Sequence, residues 1–165
     1  MTMVTLEPGN LYILFDKKGD RAFGLFSELR TGGKEVHCVA RTHPDRLQKE
    51  FGIPTENIVW LSNSGASKSV NPQSIGILTD SLLRVYEKNP DSTVILEGVE
   101  YLMTENDFGK VLRLVNFLYE SVVMSHGLLI ISLDPEAFEE KELAFLTKEA
   151  IILQPSDEIA IRGVP

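Results

Sequence analysis

Cysteine is almost absent. Cys38 stands alone among 165 residues, which excludes an intramolecular disulfide and any multi-cysteine zinc site. Basic charge is scarce: 16 Lys and Arg face 24 Asp and Glu, for a net charge of −8 and a pI near 4.9. A nucleic-acid binder needs a basic face to neutralise phosphates, so no nucleic-acid partner is expected. Long apolar runs are missing too. The longest, Gly127 to Leu133, falls far short of the ~20 residues of a membrane span. Met1 to Asn10 has neither a basic end nor an apolar block, so it does not read as a secretory signal. The expected location is the cytoplasm, where a single thiol stays reduced.

The composition is that of a folded domain, with 43% apolar and 24% charged residues. A chain of this length buries roughly two-thirds of its unfolded surface. It therefore needs no disulfide or metal to fold. One α/β domain over residues 1–165 is expected, with a core of about 11–154 and a tail at 155–165.

Short apolar runs alternate with helical patterns. Leu11–Phe15, Glu35–Ala40, Asn57–Ser62, Ser92–Glu97, Gly127–Leu133 and Ala150–Leu153 read as strands. Glu158–Ile161 suggests a further short one. Between them, Asp20–Arg30 has helical spacing and Gly32–Gly33 as its stop. Arg41–Thr42–His43–Pro44 opens a helix ending at Gly52, with Thr42 and Asp45 spaced as a capping box. Asn71–Pro72 opens the next helix, and Asn63–Asn71 is a polar loop. Thr104–Asp107 offers caps for a long helix whose face is Phe108, Val111, Leu112, Val115, Leu118 and Val122. Asp134–Pro135 caps the helix after that. The strands are near-continuous apolar runs, which is what burial on both faces requires. Alternation with helices implies parallel pairing. The expected architecture is a three-layer α/β/α fold with a mostly parallel sheet of five to six strands.

Ligands of such sheets sit beyond the carboxyl ends of the strands. The polar residues there are Arg41, Thr42, His43, Ser62, Glu97, Ser132 and Asp134. Arginine forks onto carboxylate or phosphate, and histidine carries a proton near neutrality. These residues form a candidate ligand-binding set. The competing reading gives Arg41–Pro44 only a helix cap and a solvated arginine. No catalytic residue and no resident cofactor or metal is assigned. A phosphate loop needs G-x-x-x-x-G-K-[ST], whereas the first turn reads Phe15-Asp-Lys-Lys-Gly-Asp-Arg-Ala-Phe23. It has one glycine, no Gly-Lys pair, and Asp16 and Asp20 to repel a triphosphate. Val94–Glu97 resembles a Walker B strand end. Glu97, Glu100 and Glu105 form either a divalent site or, as the simpler expectation, a solvated acidic rim. No serine lies in a G-x-S-x-G elbow. Cys38 reads as core, and so, most simply, does Trp60, which near the strand mouth would instead line a pocket.

The blocks Arg41–Leu47, Ile58–Ser62, Val94–Leu102 and Leu129–Ala137 resemble an archaeal family of proteins of unknown function, the one numbered 835. The resemblance spans about 11–148. It implies an archaeal, cytoplasmic protein with a signalling role and no named activity. The element order is also similar to the RecA/KaiC branch of P-loop NTPases, which implies a RecA-like sheet. On that likeness Glu97 takes the acidic strand-end position and Ser132 a polar sensor position. The expectation is thus a non-catalytic signalling or protein-interaction domain lacking Walker A, with a homodimer or a regulatory protein as partner. The alternative is a nucleotide or small-anion binder using the strand-end cluster.

Overall fold

The computed structural model describes residues 2–31 and 33–162. Gly32, half of the expected helix stop, lies outside them, as does the end of the tail, 163–165.

Nine strands form among the described residues: β1 (Met3–Leu6), β2 (Asn10–Phe15), β3 (Val36–Ala40), β4 (Ile58–Leu61), β5 (Ser69–Val70), β6 (Thr93–Glu97), β7 (Leu128–Leu133), β8 (Ile151–Leu153) and β9 (Glu158–Ile161). Seven make one sheet in the order β5-β4-β3-β6-β7-β2-β8. Every neighbouring pair in it is parallel. The helices are α1 (Asp20–Gly24), α2 (Phe26–Arg30), α3 (Pro44–Phe51), α4 (Ile75–Lys88), α5 (Val99–Glu105), α6 (Phe108–Ser125) and α7 (Glu140–Thr147).

Burial on both faces organises the layers. Leu11 and Ile13 of β2 enter one core with Leu82 of α4, Leu118 of α6 and Leu146 of α7. Their neighbours Tyr12 and Leu14 enter a second core with Phe23, Phe26 and Leu47 of α1, α2 and α3. Side chains alternate across a strand, so β2, β3, β4, β6 and β7 each contribute to both. All six residues of β7 are buried.

The sheet has seven strands rather than five or six. The added one, β5, is two residues long inside the polar stretch after β4, too short for a hydrophobic period. A separate two-stranded sheet pairs β1 with β9 in parallel. Its N-terminal strand was unmarked in sequence because only Leu6 is buried. The Asp20–Arg30 helix breaks in two at Gly24–Leu25, where the Leu25 N–H turns back to Ala22 O. Helix α4 starts at Ile75, because Asn71 Oδ1 accepts from Gln73 N and Asn71 O from Ser74 N to make a turn first. Asp134–Pro135 caps only a 3₁₀ turn, Pro135–Ala137. Helix α7 begins later on its own Glu139/Glu142 capping box. The short α5 passed unseen before α6, whose cap is Asp107, as expected.

At the start of β7, Gly127 leaves no room for a side chain. An added Cβ would lie 2.6 Å from the Tyr86 ring and 2.9 Å from Ser92 O. Tyr86 is itself fixed, since its hydroxyl donates to Leu128 O at 2.6 Å. Gly127→Ala is therefore expected to destabilise the fold by about 1–3 kcal/mol, read as a lower urea midpoint.

Candidate functional site

The carboxyl ends of β2, β3, β4, β6, β7 and β8 share one edge of the parallel sheet. Glu97 ends β6 beside β3, so its side chain meets the chain leaving β3. Its Oε1 accepts from the N–H of Arg41 at 3.2 Å, the N–H of Thr42 at 3.2 Å and the Thr42 hydroxyl at 3.0 Å. Burial pushes the Glu97 carboxyl above its ordinary range, and these hydrogen bonds partly offset that. On its other side the side chain presses against the β2–α1 turn. A Cβ on Gly19 would stand 2.7 Å from Glu97 Cγ, and Gly19 has φ +78°. That backbone region suits glycine.

The acidic rim is thus not solvated. Glu100 also lies inward: Oε2 accepts from Asp134 N at 3.1 Å, while Oε1 is buried without a partner. Burial raises its pKa first, and the charges of Glu97 and Asp134 add to this. Glu105 turns elsewhere, to Gln73 Nε2 at 3.2 Å. Among the described residues no three Asp, Glu, His or Cys side chains gather in a metal-binding arrangement.

The Thr42–Asp45 capping box does not form, because Thr42 is held by Glu97. The cap is His43, whose Nδ1 accepts from Asp45 N at 3.1 Å. Arg41 is not merely solvated. Its guanidinium lies over the Tyr101 ring, 4.3 Å from the centroid, and Nη1 donates to Leu61 O at 3.4 Å. Trp60 is only partly buried rather than core. Its indole N–H donates to Arg41 O, and its ring meets His43 edge-on at 4.7 Å. Arg41, His43, Trp60 and Tyr101 therefore make one stacked surface cluster. The sequence marked its arginine and histidine; Tyr101 was missed, since α5 was.

The remaining candidates part company. Ser62 is buried and its Oγ accepts from Ser64 N at 3.1 Å, a loop-shaping role. Ser132 is 1% exposed, pairs in register with Glu97, and has no partner for its hydroxyl. Asp134 Oδ1 accepts from Glu136 N. Of the seven candidates only Asp134 lines a cavity of about 580 Å³ at the mouth of β2, β7 and β8. Phe15, Lys18, Pro135 and Pro155 line it too. Strand order alone brings them together, which no local motif signals.

The β2–α1 turn borders this cavity, and Asp16 folds back onto it. Asp16 accepts from Lys18 N at 3.3 Å and from Arg21 N at 3.1 Å. The amides of Lys18 and Arg21 are thus bonded to a carboxylate of the chain.

A family model described as "Protein of unknown function (DUF835)" matches residues 15–150. The chain belongs to the DUF835 family. No curated protein matches it. Among solved structures, a KaiC-like protein, PH0186, from the hyperthermophilic archaeon Pyrococcus horikoshii OT3 is similar in fold. It is 11% identical, with a TM-score of 0.61 over 89% of this chain and 73% of that one. This DUF835 chain accordingly has a RecA-like α/β fold. Among its described residues no helix is long and apolar enough to cross a membrane.

The role of Glu97 sets a test. Glu97→Ala strands three donors and is expected to cost about 2–3 kcal/mol. Glu97→Gln keeps an acceptor and is expected to hold stability near the parent at pH 7. Raised carboxyl pKa values mean that the folded state binds the extra proton. Parent stability therefore rises as pH falls through the raised values and levels off below the ordinary 4.5. In Glu97→Gln that rise shrinks to the Glu100 share. Urea titrations across pH measure both.

Proposed function

We propose that this domain is a non-catalytic protein-interaction module of a cytoplasmic signalling system, with a RecA-like scaffold that does not hold a nucleotide. The Asp16 carboxylate on the amides of Lys18 and Arg21 carries the reading. A triphosphate would have to displace an internal anion and then face its repulsion. The turn is further pinned, with Gly19 seated on Glu97.

The Arg41, His43, Trp60 and Tyr101 cluster supports an interaction role. Trp, Tyr and Arg are the residue types that dominate binding energy at protein interfaces. Here the stacking holds them in place before any partner arrives, which reduces the ordering cost of binding. Arg41 forms no ion pair with another described residue. That observation also favours a second reading, a small-anion binder centred on Arg41 and His43.

Calorimetry with ATP, GTP and cyclic dinucleotides, with and without magnesium, separates the readings. Flat titrations and no phosphate release are the expected result. Saturable binding that Arg41→Ala abolishes would establish the anion reading instead. Saturable Mg·ATP binding that survives Arg41→Ala would place the nucleotide at the β2–α1 turn and overturn both.

A further inference from the structure

We propose that α6 is the seam of a homodimer, packed antiparallel against the α6 of a second copy about a twofold axis through Phe117. The inference rests on the interaction reading above and names one partner for it.

Helix α6 has two faces. Val111, Leu114, Val115, Leu118 and Val122 are buried in the core. On the outer face Lys110, Arg113, Phe117, Glu120 and Met124 are all exposed. Their spacings of three, four, three and four draw one straight stripe along the helix. Large apolar side chains on it are open to solvent, Phe117 at 46% and Met124 at 84%. Val123 adjoins the stripe, also at 46%. The flanking helices add Ile77 of α4 and Phe145 of α7, both exposed. A groove of about 300 Å³ between α4 and α6 is walled by Phe117 and by Gly76, which has no side chain to fill it. Each copy thus offers both an aromatic ring and a notch.

Charge selects a second copy as the occupant. Both cations of the stripe, Lys110 and Arg113, lie on the N-terminal side of Phe117, and its one anion, Glu120, on the C-terminal side. At ~1.5 Å per residue, Arg113 sits about 6 Å from the Phe117 level and Glu120 about 4.5 Å on the other side. A twofold axis at Phe117 therefore brings each Arg113 level with the Glu120 of the mate. Lys110 comes level with Met124, over which its methylene stem can lie. A twofold interface must match itself in this way; parallel pairing would set like charge against like.

Sedimentation of the full chain and two charge variants tests the seam. The parent is expected to dimerise. Arg113→Glu and Glu120→Arg, both at exposed positions, are each expected to weaken self-association at least about tenfold. An equimolar mixture of the two should dimerise again as a heterodimer, because each reversed charge then meets its opposite. A parent that stays monomeric at every concentration overturns the seam, as do single variants that dimerise like the parent or a mixture that stays monomeric. A monomeric parent with flat nucleotide titrations would leave the interaction reading standing without the seam.

Discussion

The fold depends on hiding a parallel sheet from water on both faces. A strand such as β7, buried at every residue, cannot be stable with helices on one side only. Two cores form, one under α4, α6 and α7 and one under α1, α2 and α3. That arrangement leaves the strand ends as the place where polar side chains can collect. Every strand of the large sheet runs the same way, so the collection happens along a single edge. What distinguishes this edge is how thoroughly its polar groups bind one another. Glu97 occupies the donors of the β3–α3 turn, Asp16 those of the β2–α1 turn, and Glu100 the amide of Asp134.

The same edge in a nucleotide-binding protein must hold donors open for a ligand. Here carboxylates of the chain accept from amides on that edge. Burial raises the Glu97 pKa, and three hydrogen bonds offset this only in part. Two exceptions remain, the Ser132 hydroxyl and one oxygen of Glu100, both buried without partners. Unsatisfied buried groups are rare in folded proteins and are costly where they occur.

Much of the architecture was legible before any coordinates. Leu11–Phe15, Ser92–Glu97 and Gly127–Leu133 are long apolar runs that no solvent-facing segment could carry, and each became a central strand. The α6 helix was plain from its apolar stripe and the Asp107 cap. Elements stabilised by tertiary contact were not legible. Strand β5 exists because Trp60 and Ser62 bond across to it, and β1 because β9 lies beside it. Arg41 and Glu97 were singled out, but their relation was not. The sequence separates them by more than fifty residues, and only the adjacency of β3 and β6 makes them neighbours. The cavity beside β2 stayed hidden for the same reason.

Arg21 links two parts of the molecule that are remote in the chain. It stands in α1, at the turn bordering the cavity, and its guanidinium donates to the carbonyls of Gln154 and Asp157 between β8 and β9. Strand β9 in turn zips alongside β1. One guanidinium therefore joins the cavity wall to the segment that leads into β9, so the small sheet and the cavity are held in a single frame.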